Sequence, residues 1–132
     1  TLEEHLDVEQ RYVNVVLSVM NATNCKYVTI QYLEADKAYI AKQIKASKFR
    51  KIDSRLLSSV PLLEKNERIS STKISDILRL ALREYIYVVL SNKEHGVFIK
   101  FGYDYYLNVS CSLSNDVLED IVRKEGLFLD PR

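Results

Sequence analysis

Carboxylates at one-turn helical spacing are the first groups in this chain that could do chemistry. Glu3 and Asp7 stand four residues apart, and so do Asp116 and Asp120. On one helix face such a pair could hold a metal ion or divide the roles of general acid and base. Both pairs also lie where a helix is expected to begin, and the helix dipole alone favours carboxylates there. The electrostatic reading is the simpler one. His5 and His95 are the two imidazoles. A catalytic histidine needs a nucleophile or an orienting acid beside it. Ser91, Asp104 and Cys111 are conceivable partners, but no motif links them to His95. Cys25 and Cys111 are too far apart in sequence for a local zinc knuckle, and a four-ligand site would need both Cys and both His to converge. Three scattered glycines cannot build a phosphate-cradling loop. The sequence therefore predicts no catalytic residue, no metal site and no cofactor. His95 and Asp104 meeting in one pocket would be the sign of an enzyme.

Aromatic side chains are the second resource. Phe101-Gly102-Tyr103-Asp104-Tyr105-Tyr106 sets four rings and one carboxylate around a glycine. Tyrosine suits a protein interface, since its ring supplies apolar area and its hydroxyl a hydrogen bond. Gly102 to Asp104 is expected to turn a strand pair, with Tyr105 facing inward. Tyr103, Asp104 and Tyr106 are then the candidates for contact with a partner.

Charge is the third. The net charge is +1, yet it is unevenly spread. Residues 36–55 carry seven bases and two acids, whereas residues 1–35 carry five acids and two bases. Lys42, Lys45, Lys48 and Lys51 lie in the basic segment beside Tyr39 and Phe49. Bases neutralise phosphates and rings stack on nucleobases, so nucleic-acid binding is the alternative function. The near-neutral whole and the lack of a recognised nucleic-acid module favour a solvated helix face.

Elements must hold these groups in place. The length of 132 residues suits one domain, 1–132, with a proper core. No apolar run is long enough to span a membrane, and the acidic start Thr1-Leu2-Glu3-Glu4 is unlike a signal peptide. The triplets Asn21-Ala22-Thr23 and Asn108-Val109-Ser110 match a glycosylation acceptor, a pattern frequent by chance. Leu6, Val13, Val16, Leu17 and Met20 recur at helical spacing and predict a helix over 3–20. Residues 26–33 are ambiguous: β-branched and aromatic residues favour a strand. The series Ile30, Leu33, Lys37, Ile40, Ile44 favours one long helix to about residue 46, and helix is preferred. Residues 64–72 read as a loop. Ile74, Ile77, Leu78, Ala81, Leu82, Tyr85, Val88 and Val89 predict a helix capped by Ser71 or Thr72. Alternation at Val97, Ile99 and Phe101, and again at Tyr105, Leu107, Val109 and Cys111, predicts two antiparallel strands. A last helix starts at Ser114, Asn115 or Asp116 and ends at Gly126. The expected fold is α+β, mostly helical, with a small antiparallel β-hairpin at about 97–111 between the last two helices.

Leu82-Arg83-Glu84-Tyr85-Ile86, then Phe101-Gly102-Tyr103-Asp104-Tyr105-Tyr106-Leu107, then Glu125-Gly126-Leu127-Phe128-Leu129 resemble segments of a bacterial group. It comprises small immunity proteins of contact-dependent growth inhibition and related polymorphic toxin systems. The resemblance covers the C-terminal part of the chain and no more. It implies a cytoplasmic protein that acts only by binding, covering or distorting the C-terminal domain of a cognate toxin. Many such toxins are nucleases with basic clefts. Asp104, Asp116, Glu119 and Asp120 could mimic phosphate there and speed association. The resemblance transfers no interface residue to this chain.

Overall fold

The computed structural model describes residues 2–56, 63–102, 107–127 and 129. Helix α1 runs over Leu2–Ala22, strand β1 over Tyr27–Glu34, helix α2 over Lys37–Ala46 and the one-turn helix α3 over Arg50–Asp53. Strand β2 is Arg68–Ser70, helix α4 Ile74–Leu82, strand β3 Tyr87–Asn92, strand β4 Val97–Phe101, strand β5 Leu107–Ser110 and helix α5 Asn115–Lys124. The strands form one antiparallel sheet in the order β2-β1-β3-β4-β5.

This corrects the expected fold class. The sheet has five strands and occupies the middle of the chain, so the protein is not a mostly helical fold with a lone hairpin. The pair β4–β5 is the outer part of that sheet. Residues 26–33 are strand, not the start of a long helix, and a separate helix begins after Asp36, whose side chain accepts a bond from the backbone N–H of Tyr39 at 3.1 Å. Helix α4 stops at Leu82. The run Tyr87–Asn92, read as its last turns, is instead the central strand. Part of the expected loop 64–72 is the short edge strand β2. The α4 N-cap is Lys73, with no side-chain bond, while the hydroxyls of Ser70 and Thr72 bond each other at 2.8 Å.

The sheet is covered by helices on one face. Val28, Ile30, Ile69, Leu90 and Ile99 point to that face and are fully buried. They share a core with Val13, Val16 and Met20 of α1, Ile40 and Ile44 of α2, and Ile77 and Leu78 of α4. Helix α1 serves a second layer as well: Val15 and Val19 pack with Val122 of α5 and against Val109, Cys111 and Leu118. A 21-residue helix with apolar side chains on two faces can bridge both clusters. Helix α5 is capped by Ser114 Oγ, which accepts from the N–H of Val117 at 3.3 Å. It ends on Gly126 at φ +71°, where Leu127 N donates to the Val122 carbonyl at 3.1 Å and Gly126 N to that of Arg123 at 2.9 Å. That pair of bonds needs a left-handed residue.

The other face of the sheet alternates with the first. Along β4 and β5 the inward residues are buried or half-buried, while Lys100, Asn108 and Ser110 are exposed. Such alternation marks an antiparallel sheet with one solvated face. No helix among the described residues is long and apolar enough to cross a membrane.

Candidate partner-binding groove

A wide concavity lies at one end of the sheet. It is a cleft of about 1130 Å³. Strand β1 contributes Tyr32 and Glu34, the start of α2 contributes Asp36 and Tyr39, and the α4–β3 connection contributes Glu84, Tyr85 and Tyr87. Lys100, Phe101 and Gly102 close it from β4.

A β-bulge sets this geometry. Ile30 pairs with Leu90 and Tyr32 with Val89, so Gln31 is an extra residue. A regular strand would turn Tyr32 into the core and Leu33 out. With the bulge, Leu33 packs on the core, Tyr32 is 44% exposed and Glu34 stands opposite Tyr87. The rings of Tyr32 and Tyr87 meet edge to face, with centroids 5.8 Å apart. The Tyr32 hydroxyl donates to the Glu34 carboxylate, and that bond pushes its pKa up. Tyr39 is 51% exposed across the cleft.

The α4–β3 connection is held from behind by a buried charge network. Glu9 and Asp53 are fully buried. Arg83 lies between them: its Nε donates to Glu9 Oε2 at 2.8 Å, its Nη2 to Glu9 Oε1 at 2.9 Å, and its Nη1 pairs with Asp53 Oδ1. Arg79 Nη1 adds a bond to Glu9 Oε1 at 2.7 Å. Tyr85, which lines the cleft, donates its hydroxyl to Asp53 Oδ2 at 2.7 Å. The Arg83 guanidinium also rests on the ring of Phe49, 4.4 Å from its centroid. Three segments far apart in sequence are thereby fastened under the groove floor.

Glu84 connects the network to the groove. It ends α4 in the left-handed region at φ +61°, where Glu84 N donates to the Ala81 carbonyl and Tyr85 N to that of Leu80, each at 3.0 Å. The other positive-φ residues that are not glycine are Asn24 and Asn66, a type that tolerates this region. Glutamate does not. Glu84→Gly should therefore raise stability by up to about 1 kcal/mol, since relief of strain outweighs the added freedom of the unfolded chain. A higher urea midpoint at unchanged m would show it; a lower midpoint would mean that the side chain itself supports the fold.

The ring of His5 packs on Phe49 at a centroid distance of 4.8 Å. Burial pushes its pKa down, Lys48 and Arg83 act in the same direction, and Glu9 opposes them. The folded state thus favours the neutral ring. This contribution is complete above the ordinary histidine pKa and is lost as pH falls through the lower folded value. Between about pH 7 and pH 5 the wild type should lose more stability than His5→Gln does. Parallel urea titrations would test this, and identical losses would refute it.

The residues expected from sequence fall in different places. Tyr103, Asp104 and Tyr106 lie outside the described residues, as does Tyr105, although their neighbour Gly102 lines the cleft. Asp116, Glu119 and Asp120 sit on α5, whose described residues do not line the cleft. Glu119 is paired with Arg123 at 2.5 Å. Lys42, Lys45, Lys48 and Lys51 are all exposed, and Lys48 Nζ stands 5.4 Å from the centre of the Phe49 ring. His95 Nδ1 lies 3.2 Å from the Thr23 carbonyl, a structural bond across the sheet end. Among the described residues no group of three His, Cys, Asp or Glu could hold a metal ion.

Sequence reasoning missed Tyr32, Glu34, Glu84 and Tyr87 as site residues and placed Tyr39 with the basic segment, whereas it lines the cleft. A strand reading of 26–34 would have put Tyr32 and Glu34 on one face, but on the inner one with Val28 and Ile30; only the bulge at Gln31 turns them out. No family model, no curated protein and no solved structure matches this chain.

Proposed function

We propose that this chain is an immunity protein that binds and neutralises the C-terminal domain of a cognate bacterial toxin in the cytoplasm. The observation that carries the reading is the groove: exposed tyrosines with carboxylates between them, on a solvated sheet face above a rigid, buried ion network. Tyrosine-rich concave surfaces supply binding energy in protein complexes, and a groove on a sheet end fastened from behind is organised before its partner arrives. The resemblance of residues 82–86, 101–107 and 125–129 to immunity proteins supplies the partner class, with a nuclease as the toxin. The acidic groove suits the basic cleft of such an enzyme.

The test is co-expression with the toxin domain encoded beside this chain. The proposal expects a complex stable through gel filtration and survival of cells that produce the toxin. Absence of both would end it. The nucleic-acid reading through Lys42, Lys45, Lys48 and Lys51 expects steeply salt-dependent binding to nucleic acid that reversal of those charges abolishes.

A further inference from the structure

We infer, resting on that reading, that the groove recognises an arginine side chain presented by the partner protein. The chain already uses the required chemistry once in full, at Arg83, and its stacking half again at Arg68. Arg83 lies on the Phe49 ring with carboxylates at its edges, and Arg68 lies 4.5 Å from the centroid of Tyr27. A guanidinium is planar, so it can stack on a ring while its edge donates paired bonds to carboxylate oxygens. The groove offers the same two ingredients in reach of solvent. Tyr32 and Tyr87 meet at 67°, which presents one ring face beside another ring's edge. Glu34 and Asp36 flank them. Each commits one oxygen within the chain, Glu34 Oε1 to the Tyr32 hydroxyl and Asp36 Oδ1 to the N–H of Tyr39.

Glu84 is the most pointed residue. It is exposed, it lines the groove, and no hydrogen bond or ion pair among the described residues engages its carboxylate. Its backbone would be relieved by glycine, as argued above. A carboxylate that none of the described residues engages, at a position unfavourable for its residue type, is placed to meet a cation from outside. Lys100 also lines the groove. Three carboxylates against one ammonium still leave the site acidic, and the lysine favours a partner that brings its own acceptor beside the arginine.

The probe is a short peptide with one arginine, Ac-Ser-Gly-Arg-Gly-Ser-amide, titrated into the full chain and followed by NMR. Saturable shifts at Tyr32, Tyr87 and Glu84 are expected. Binding should weaken about tenfold when citrulline replaces arginine, because citrulline keeps the plane and loses the charge. Glu84→Gln should weaken it about three- to fivefold, and this exposed change is not expected to disturb folding. Equal binding of the citrulline peptide, or unchanged binding by both Glu84→Gln and Tyr32→Leu, would overturn the inference. If toxin protection persists while the peptide fails, the arginine inference falls alone. If the peptide binds and no protection is found, the immunity reading falls alone.

Discussion

Arg83→Met should lower the unfolding free energy by about 3–5 kcal/mol, the usual effect of removing one member of a buried ion cluster. The guanidinium is 3% exposed and stands between two carboxylates that are 0% exposed. Methionine fills a similar volume but removes the guanidinium, leaving the Tyr85 hydroxyl on Asp53 and Arg79 on Glu9 as the remaining side-chain bonds given by the described residues. The cost is that of buried charge without its counter-ion, more than the loss of the bonds themselves. The triple change Glu9→Gln, Asp53→Asn, Arg83→Met should therefore recover a good part of the loss. Urea unfolding of the two variants and the wild type measures both effects. A single variant within about 1 kcal/mol of the wild type would mean that the network contributes little to stability.

On the immunity proposal, the paired change Tyr32→Ala, Tyr87→Ala should weaken binding of the toxin domain about 100-fold or more, some 3 kcal/mol. Tyr32 is 44% exposed, Tyr87 is half-buried, and the two rings meet edge to face. Their loss is expected to spare the core below, which circular dichroism and the thermal midpoint would check. Charge reversal at Lys42, Lys45, Lys48 and Lys51 should change affinity only about threefold, in keeping with exposed rim charges. Calorimetry on the purified complex distinguishes the two sets. A drop of less than about threefold for the tyrosine pair would place the interface elsewhere.

What could be read ahead of the coordinates follows from where periodicity is clean. Helix α1, the strands β4 and β5, and helix α5 with Ser114 and Gly126 at its ends are all carried by local pattern or local backbone need. Two of the misreadings joined a strand to a neighbouring helix. Strand β1 has its inward residues at 28, 30 and 33, because the bulge at Gln31 inserts one residue. The resulting step of three imitates a helix, and Ile40 and Ile44 of the real α2 then seem to continue it. Strand β3 is buried along nearly its whole length, so it shows no alternation, and its apolar run joins smoothly to the stripe of α4. Only Glu84 in a left-handed conformation separates them, and glutamate gives no warning of that. The groove was hidden for the same reason. Its residues come from the misread strands, the start of α2, the α4–β3 connection and β4, and Tyr32 and Tyr87 meet only once β1 and β3 are paired. The ion network was equally out of reach, since Glu9, Asp53 and Arg83 look like ordinary surface charges in a linear reading.

The bulge at Gln31 also bears on aggregation. Strand β2 pairs with β1 only at Tyr27, Val28 and Thr29, and residues 66 and 67 extend the contact to Ile30. Among the described residues, the stretch from Gln31 to Glu34 has no strand on its outer side. A flat, regular edge of this kind is a template on which a second chain can add a strand, layer upon layer. An inserted residue breaks the even spacing of donors and acceptors and increases the local twist. The carboxylate of Glu34 adds charge at the end of the same edge. The residue that turns Tyr32 out to solvent thus also works against this open edge propagating into a fibre.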